Sequence, residues 1–156
     1  MSVKDPYSDH IRVRVSALIL QKNHLLVVKQ NTPSRAEHIW LPPGGGLDFG
    51  ETTEEALRRE VFEETSIEIK NGRIRYIHEF IEPPYHAVEL YFLVESFTGT
   101  PTLGSDPELS FDHQQLTEVK FVPVPELMSM NLYPEFLKEA LVNGTVCDES
   151  ISHFKS

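Results

Sequence analysis

The stretch from Gly45 to Ile67, GGLDFGETTEEALRREVFEETSI, constrains this chain more than any other part of it. It opens within the run Gly44-Gly45-Gly46, and consecutive glycines let a backbone take positive φ angles and approach a ligand closely. Thr52 with Glu55 three positions later is a capping-box signature, so a helix is expected to begin just after Glu51. Continued to Glu64, such a helix holds Glu60, Glu63 and Glu64 within about 100° of one another around its axis. Carboxylates crowded in this way repel, which costs stability and raises their pKa values. A hard divalent cation with oxygen ligands relieves that repulsion. A merely solvated Glu-rich face would explain the charge, but not the glycine run at a fixed distance ahead of it. Leu57 and Val61, four apart, give the same helix an apolar edge and read as core.

The spacing resembles the Nudix box, G-x5-E-x7-R-E-U-x-E-E-x-G-U, where U is a bulky aliphatic residue. Gly45, Glu51, Arg59, Glu60, Val61, Glu63, Glu64 and Ile67 fit the pattern, and Ser66 stands in place of its final glycine. Glycine there permits a left-handed backbone, which serine adopts at a cost of about 1 kcal/mol. The resemblance implies an α/β fold, a Nudix-type α/β/α sandwich with a mixed β-sheet and a loop-helix-loop catalytic box, over roughly residues 10 to 142. It implies a hydrolase that cleaves a pyrophosphate linkage in a nucleoside diphosphate-X compound, with water attacking phosphorus. In that likeness Glu60, Glu63, Glu64 and the Gly45 carbonyl hold Mg²⁺ or Mn²⁺, while Arg59 and Glu51 brace the loop and orient the metal ligands. The general base is then Glu60 or a residue on a distant loop, with Glu108, Glu118 and the nearby His113 as candidates. Pro83 and Tyr85, downstream of the box, match family markers for ADP-ribose and for dinucleoside polyphosphates, so ADP-ribose, nucleotide sugars, dinucleoside polyphosphates and (deoxy)nucleoside triphosphates all stay open.

Two competing readings share the fold. One is a non-catalytic nucleotide-binding regulatory module, which loss of box carboxylates would favour; none is lost here. The other is an isomerase of prenyl diphosphates, which adds cysteine and histidine functions outside the box, whereas the lone Cys147 lies near the C-terminus.

At 156 residues the chain suits one domain with a sizeable core. Its net charge of −10 argues against a nucleic-acid polymer as partner, though not against a small phosphorylated substrate in a cleft whose local field is reversed by metal and a few cations. No apolar run is long enough to span a membrane and the N-terminus does not read as a signal peptide. The single cysteine fits a reducing compartment, so a cytoplasmic protein is expected, with no membrane partner; a homodimer is compatible with the sequence.

Residues 1–10 read as a flexible arm, 11–144 as a single domain and 145–156 as a tail. Strands are expected over Ile11 to Leu20, Leu25 to Lys29, Glu68 to Lys70, Arg73 to Glu82, His86 to Phe97 and Glu118 to Val122, with Asn71-Gly72 as a tight turn. A last helix should start near Pro134 and stop before Gly144. Arg12, Arg14, Lys29 and Arg35 are the basic residues that could meet phosphate or ribose. Phe49, Tyr85 and Tyr91 are the aromatics that could stack on a base, against the plainer reading of each as surface or core.

Overall fold

The computed structural model describes residues 5–31, 37–104 and 115–156. Arg35, Glu108 and His113, named above for substrate or base roles, lie outside these residues.

The alternation in IRVRVSAL makes β1 (Ile11–Leu18) a strand with two different faces. Val15 and Ala17 enter one core cluster, while Leu18 enters the other. The expected single strand to Leu20 breaks at Ile19, whose carbonyl accepts a hydrogen bond from the Leu26 amide (2.9 Å), and the chain passes into a second sheet. There β2 (Leu20–Gln21) and β3 (His24–Asn31) are joined by Lys22 and Asn23, both with positive φ (49° and 60°), as a tight hairpin turn requires. β4 (His38–Leu41) pairs antiparallel with β3. β5 (Gly44–Gly46) returns to the first sheet and pairs antiparallel with β1, Gly45 opposite Val15. The helix α1 (Thr53–Thr65) leads to the long strands β6 (Glu68–Glu82) and β7 (Tyr85–Thr98). Then come β8 (Leu116–Pro123), α2 (Val124–Leu127), α3 (Phe136–Val142), a 3₁₀ turn at Thr145–Cys147, and β9 (Ser152–Lys155).

The first sheet runs β5-β1-β7-β6-β9 and is mixed, since β1–β7 and β6–β9 are parallel and the other pairs antiparallel. In the second, β3 pairs with β2, β4 and β8. Helices cover both sides. On one, α1 buries Ala56, Leu57 and Val61 against Val15, Ala17, Phe92 and Val94. On the other, α3 buries Leu137, Ala140 and Leu141 among Leu18, Tyr76, Tyr91 and Leu93. The α/β sandwich with mixed pairing is therefore present, with its middle layer divided into two sheets rather than one.

Three local expectations need correction. Asn71-Gly72 is no turn: β6 runs straight through it, with register shifts on either side of Asn71. The type I′ hairpin turn that Asn-Gly favours needs positive φ at both residues, and neither has it. A Cβ on Gly72 would lie 3.3 Å from the Leu93 carbonyl oxygen, so the glycine serves close strand approach at a bulge. Residues 145–156, expected as a tail, carry regular structure. β9 adds an edge strand to the first sheet, and Phe154 stacks on Phe136 at 4.2 Å between ring centroids. Arg75, 3% exposed, donates to the Thr145 and Ser150 carbonyls (2.7 and 2.6 Å) and to Ser152 Oγ (3.1 Å), tying this segment to β6. At the other end, residues 5–10 are bound rather than loose: the Asp9 amide donates to Pro84 O (3.0 Å), Tyr85 Oη to Asp5 Oδ2 (2.7 Å), and the Arg12 guanidinium stacks over the Tyr7 ring.

α1 starts where the capping box puts it. Thr52 Oγ1 accepts from the Glu55 amide and Glu55 Oε2 from the Thr52 amide (3.2 and 2.8 Å). It ends at Ser66, whose φ of 61° and ψ of 14° are left-handed, and whose amide still donates to Phe62 O. The Ser66 side chain is exposed, and the turn is closed through the backbone amide. Replacing it by glycine removes the Cβ strain while adding freedom to the unfolded chain, two terms of similar size. Ser66→Gly should therefore leave stability unchanged or raise it by up to about 1 kcal/mol in urea unfolding, with turnover little altered; a clear loss of activity would show a role for the hydroxyl.

Candidate active site

Arg59 lies at the meeting point of strand, loop and helix. Its Nε and Nη2 donate to the two carboxylate oxygens of Glu51, both at 2.8 Å, a bidentate pair. Nη1 donates to Glu60 Oε1 (2.8 Å) and Nη2 also to Gly46 O (3.1 Å). Asp48 and Glu63 approach the same guanidinium at 3.5 and 3.6 Å. The bond to Arg59 holds the Glu51 carboxyl below the usual carboxylate range, and the same bond, followed by that to Glu60, raises the arginine's proton affinity. One cation thus fixes the turn from β5 into α1 and orients Glu60, the first of the three clustered carboxylates.

The glycine strand is shaped to the helix. A Cβ built on Gly45 would fall 2.3 Å from the Glu60 carboxyl carbon, so any side chain there would displace Glu60. Glu64 Oε2 accepts a hydrogen bond from the Gly44 amide at 3.1 Å. The structure therefore brings Gly45, Glu51, Arg59, Glu60, Glu63 and Glu64 into one contiguous group, half-buried rather than sealed. The far end of α1 is held as well. Thr65 Oγ1 donates to Val61 O (2.6 Å), and the Thr102 and Gly104 amides donate to Thr65 O and Glu64 O (2.8 and 2.9 Å). A Cβ on Gly104 would collide with Glu63 O, so this glycine is required where the downstream loop crosses the helix. Sequence reasoning missed that contact, and Gly104 was its sole signal.

The donor set suits a hard cation. Its atoms are carboxylate and carbonyl oxygens, partly open to water, at a strand with no side chain at Gly45 to fill the space beside Glu60. Among the described residues no three His, Cys, Asp or Glu side chains form a ready-made cage.

The remaining residues singled out from the sequence scatter. Arg14 lies on β1 opposite Gly46, its Nη1 donating to Glu89 Oε1 (3.4 Å). Arg12 is close by, its Nη2 3.6 Å from where a Cβ of Gly46 would be. Lys29 and Glu118 face each other in the second sheet as an ion pair (3.9 Å), with Lys120 on the same carboxylate (2.9 Å) and both lysines over the Trp40 ring. Phe49 is fully exposed in the turn before α1. Tyr85 is occupied with Asp5 at the β6–β7 end, and Tyr91 is buried in the core. Sequence reasoning overlooked Asp48 and the buried acid Glu89, the latter visible only as a charge inside the apolar strand AVELYFLV.

Comparison with known proteins identifies the family. The NUDIX domain family model matches residues 10–141. An ADP-ribose pyrophosphatase of Methanocaldococcus jannaschii is 30% identical over 122 residues, covering 69% of this chain and 71% of that protein. The NAD-capped RNA hydrolase NudC of Edwardsiella ictaluri is 29% identical over 102 residues, where the match spans 65% of this chain but only 37% of the relative. The solution structure of the E. coli ORF135 protein superposes with a TM-score of 0.70 at 20% identity, over 90% of this chain and 94% of that one, a likeness of fold. By the match of the family model over most of its length, this chain belongs to the Nudix hydrolase family.

Proposed function

We propose that this chain is a Mg²⁺- or Mn²⁺-dependent hydrolase that cleaves the pyrophosphate linkage of a nucleoside diphosphate-X compound, water attacking phosphorus. The observation that carries the reading is the Arg59 arrangement, which sets Glu60 against Gly45 beside Glu63, while Glu64 is bonded to the Gly44 amide. Glu60, Glu63, Glu64 and the Gly45 carbonyl would hold the metal. When bound, it would neutralise phosphate charge and supply a nucleophilic water. Arg59 and Glu51 keep the ligand carboxylates in place and touch no reacting atom. The base to the attacking water would be Glu60 or a group on a distant segment: Glu118, which pairs with Lys29 and Lys120 in the second sheet, or Glu108 or His113. No side chain of this group is a serine or cysteine nucleophile, which supports direct attack by water. ADP-ribose comes first among substrates to try because a 30% identical relative is an ADP-ribose pyrophosphatase. Nucleotide sugars, dinucleoside polyphosphates and (deoxy)nucleoside triphosphates complete the panel.

Activity on this panel should require Mg²⁺ or Mn²⁺ and vanish in excess chelator; full activity in chelator overturns the mechanism. Glu63→Gln and Glu64→Gln should each lower turnover about 10²-fold or more, through loss of a charged ligand near developing phosphate charge. Circular dichroism should show the fold retained: each change removes one like charge, and in Glu64→Gln the side-chain amide oxygen could still accept the Gly44 amide. Gly45→Ala should depress turnover comparably by displacing the Glu60 carboxylate. Hydrolysis in ¹⁸O-labelled water should label a phosphate-containing product at the first turnover, whereas a trapped phosphorylated or nucleotidylated protein would refute direct attack. A panel left intact with metal present would favour a nucleotide-binding module instead.

A further inference from the structure

Glu89 is a heavily engaged acid on the face of the first sheet turned away from α1. It is 4% exposed, yet it accepts from four donors: His78 Nδ1 at 2.8 Å, Tyr91 Oη at 3.1 Å, and Tyr133 Oη and Arg14 Nη1 both at 3.4 Å. The ring of His78 is fixed in turn by Ser156 Oγ on its other nitrogen (2.8 Å). Tyr133 is fixed through its amide, which donates to Trp40 O in the second sheet (2.8 Å). A carboxylate held from three sides cannot swing, so its bond to the fourth partner sets the direction of that partner. The fourth partner is Arg14, whose side chain is 24% exposed, whereas His78 and Tyr91 are buried and Tyr133 is partly so.

The position of Arg14 gives that direction a use. In the strand register it lies between Glu89 on β7 and Gly46 on β5, the glycine whose carbonyl is bonded to Arg59. One strand spacing, about 4.8 Å, separates β1 from the glycine strand on which the carboxylates of α1 rest. Glu64 is near enough to act on the Arg14 charge. A guanidinium has five N–H donors, and among the described residues Glu89 takes one of them, while Nε is buried without an acceptor. A planar fork with donors to spare, one strand from the hydrolytic group, suits phosphate oxygens.

We propose that Glu89 is a positioning residue that aims Arg14 at the phosphate chain of the nucleotide, with His78, Tyr91 and Tyr133 holding the carboxylate in place. This rests on the hydrolase reading above, so the test separates the two. ADP affinity is measured by calorimetry in chelator, where the metal site contributes nothing and no turnover occurs, alongside the melting temperature of every variant. Arg14→Gln should weaken ADP binding about 10- to 100-fold, the scale of a hydrogen bond to a charged group. Glu89→Gln should weaken it about tenfold in the presence of Arg14 and by less than about twofold in the Arg14→Gln background, because the acid acts through the arginine. Tyr133→Phe, which keeps the buried carboxylate, supplies the same comparison if Glu89→Gln does not fold: a two- to threefold loss that disappears in the Arg14→Gln background. A purely structural Glu89 would lower the melting temperature in every background while its effect on ADP binding added to that of Arg14. Additive losses, or unchanged affinity in the variants of a chain that does bind ADP, would overturn the inference and leave the hydrolase reading standing. A wild-type chain that neither binds ADP nor cleaves the panel would overturn both.

Discussion

The bidentate pairing of Arg59 with Glu51 is the interaction on which the neighbourhood of the box depends. Asp48, Glu51, Glu60 and Glu63 all approach one guanidinium. Without it, like charges would face one another across half-buried space, where a pair about 4 Å apart interacts by roughly 4 kcal/mol at an effective dielectric of 20. With it, the same charges become tethers. Because Arg59 also bonds Gly46 O, the arginine fixes the helix to the strand as well as to the loop. Substitution by lysine would keep the charge and lose the fork that reaches three partners at once.

β1 translates that local arrangement into a whole molecule. Its one face supplies Val15 and Ala17 to the core under α1, and its other face carries Arg14 and, further along, Leu18. The strand is therefore both the floor of α1 and the place where the Glu89 network meets the box. β5 is the complement of this device. Three glycines pair with Arg14, Val15 and Ser16, and the missing side chain at Gly45 allows Glu60 to rest on the backbone. A bulkier edge strand would hold the helix off and separate the carboxylates from it.

What could be read in advance was local. Thr52 and Glu55 mark the helix start because capping is settled within four residues, and Ser66 takes the left-handed conformation the box pattern implies because that turn is also local. Contacts between distant residues left little trace. Nothing in Gly44-Gly45-Gly46 announces an antiparallel partner some thirty residues earlier, and nothing in SHFK announces a parallel one in β6. Asn71-Gly72 misled because a dipeptide that favours a turn was overruled by cross-strand pairing with β7. Within the site, the box residues were legible from their spacing, whereas Glu89 depends on four donors drawn from β1, β6, β7 and the segment before α3.

The loop that crosses the end of α1 has a consequence in time. A ribosome releases the box long before it releases Thr102 and Gly104, whose amides occupy the last carbonyls of that helix, or Phe92 and Val94, which form part of its apolar seat. A thirteen-residue helix without tertiary support is marginal in water. The acidic turn at Glu60 to Glu64 therefore stays unanchored on the nascent chain until β7 and the loop after it have emerged, and the His78 side of the neighbouring network waits for Ser156. The box carboxylates are made early and become rigid late, so a growing chain carries the sequence of a hydrolase well before it carries the shape of one.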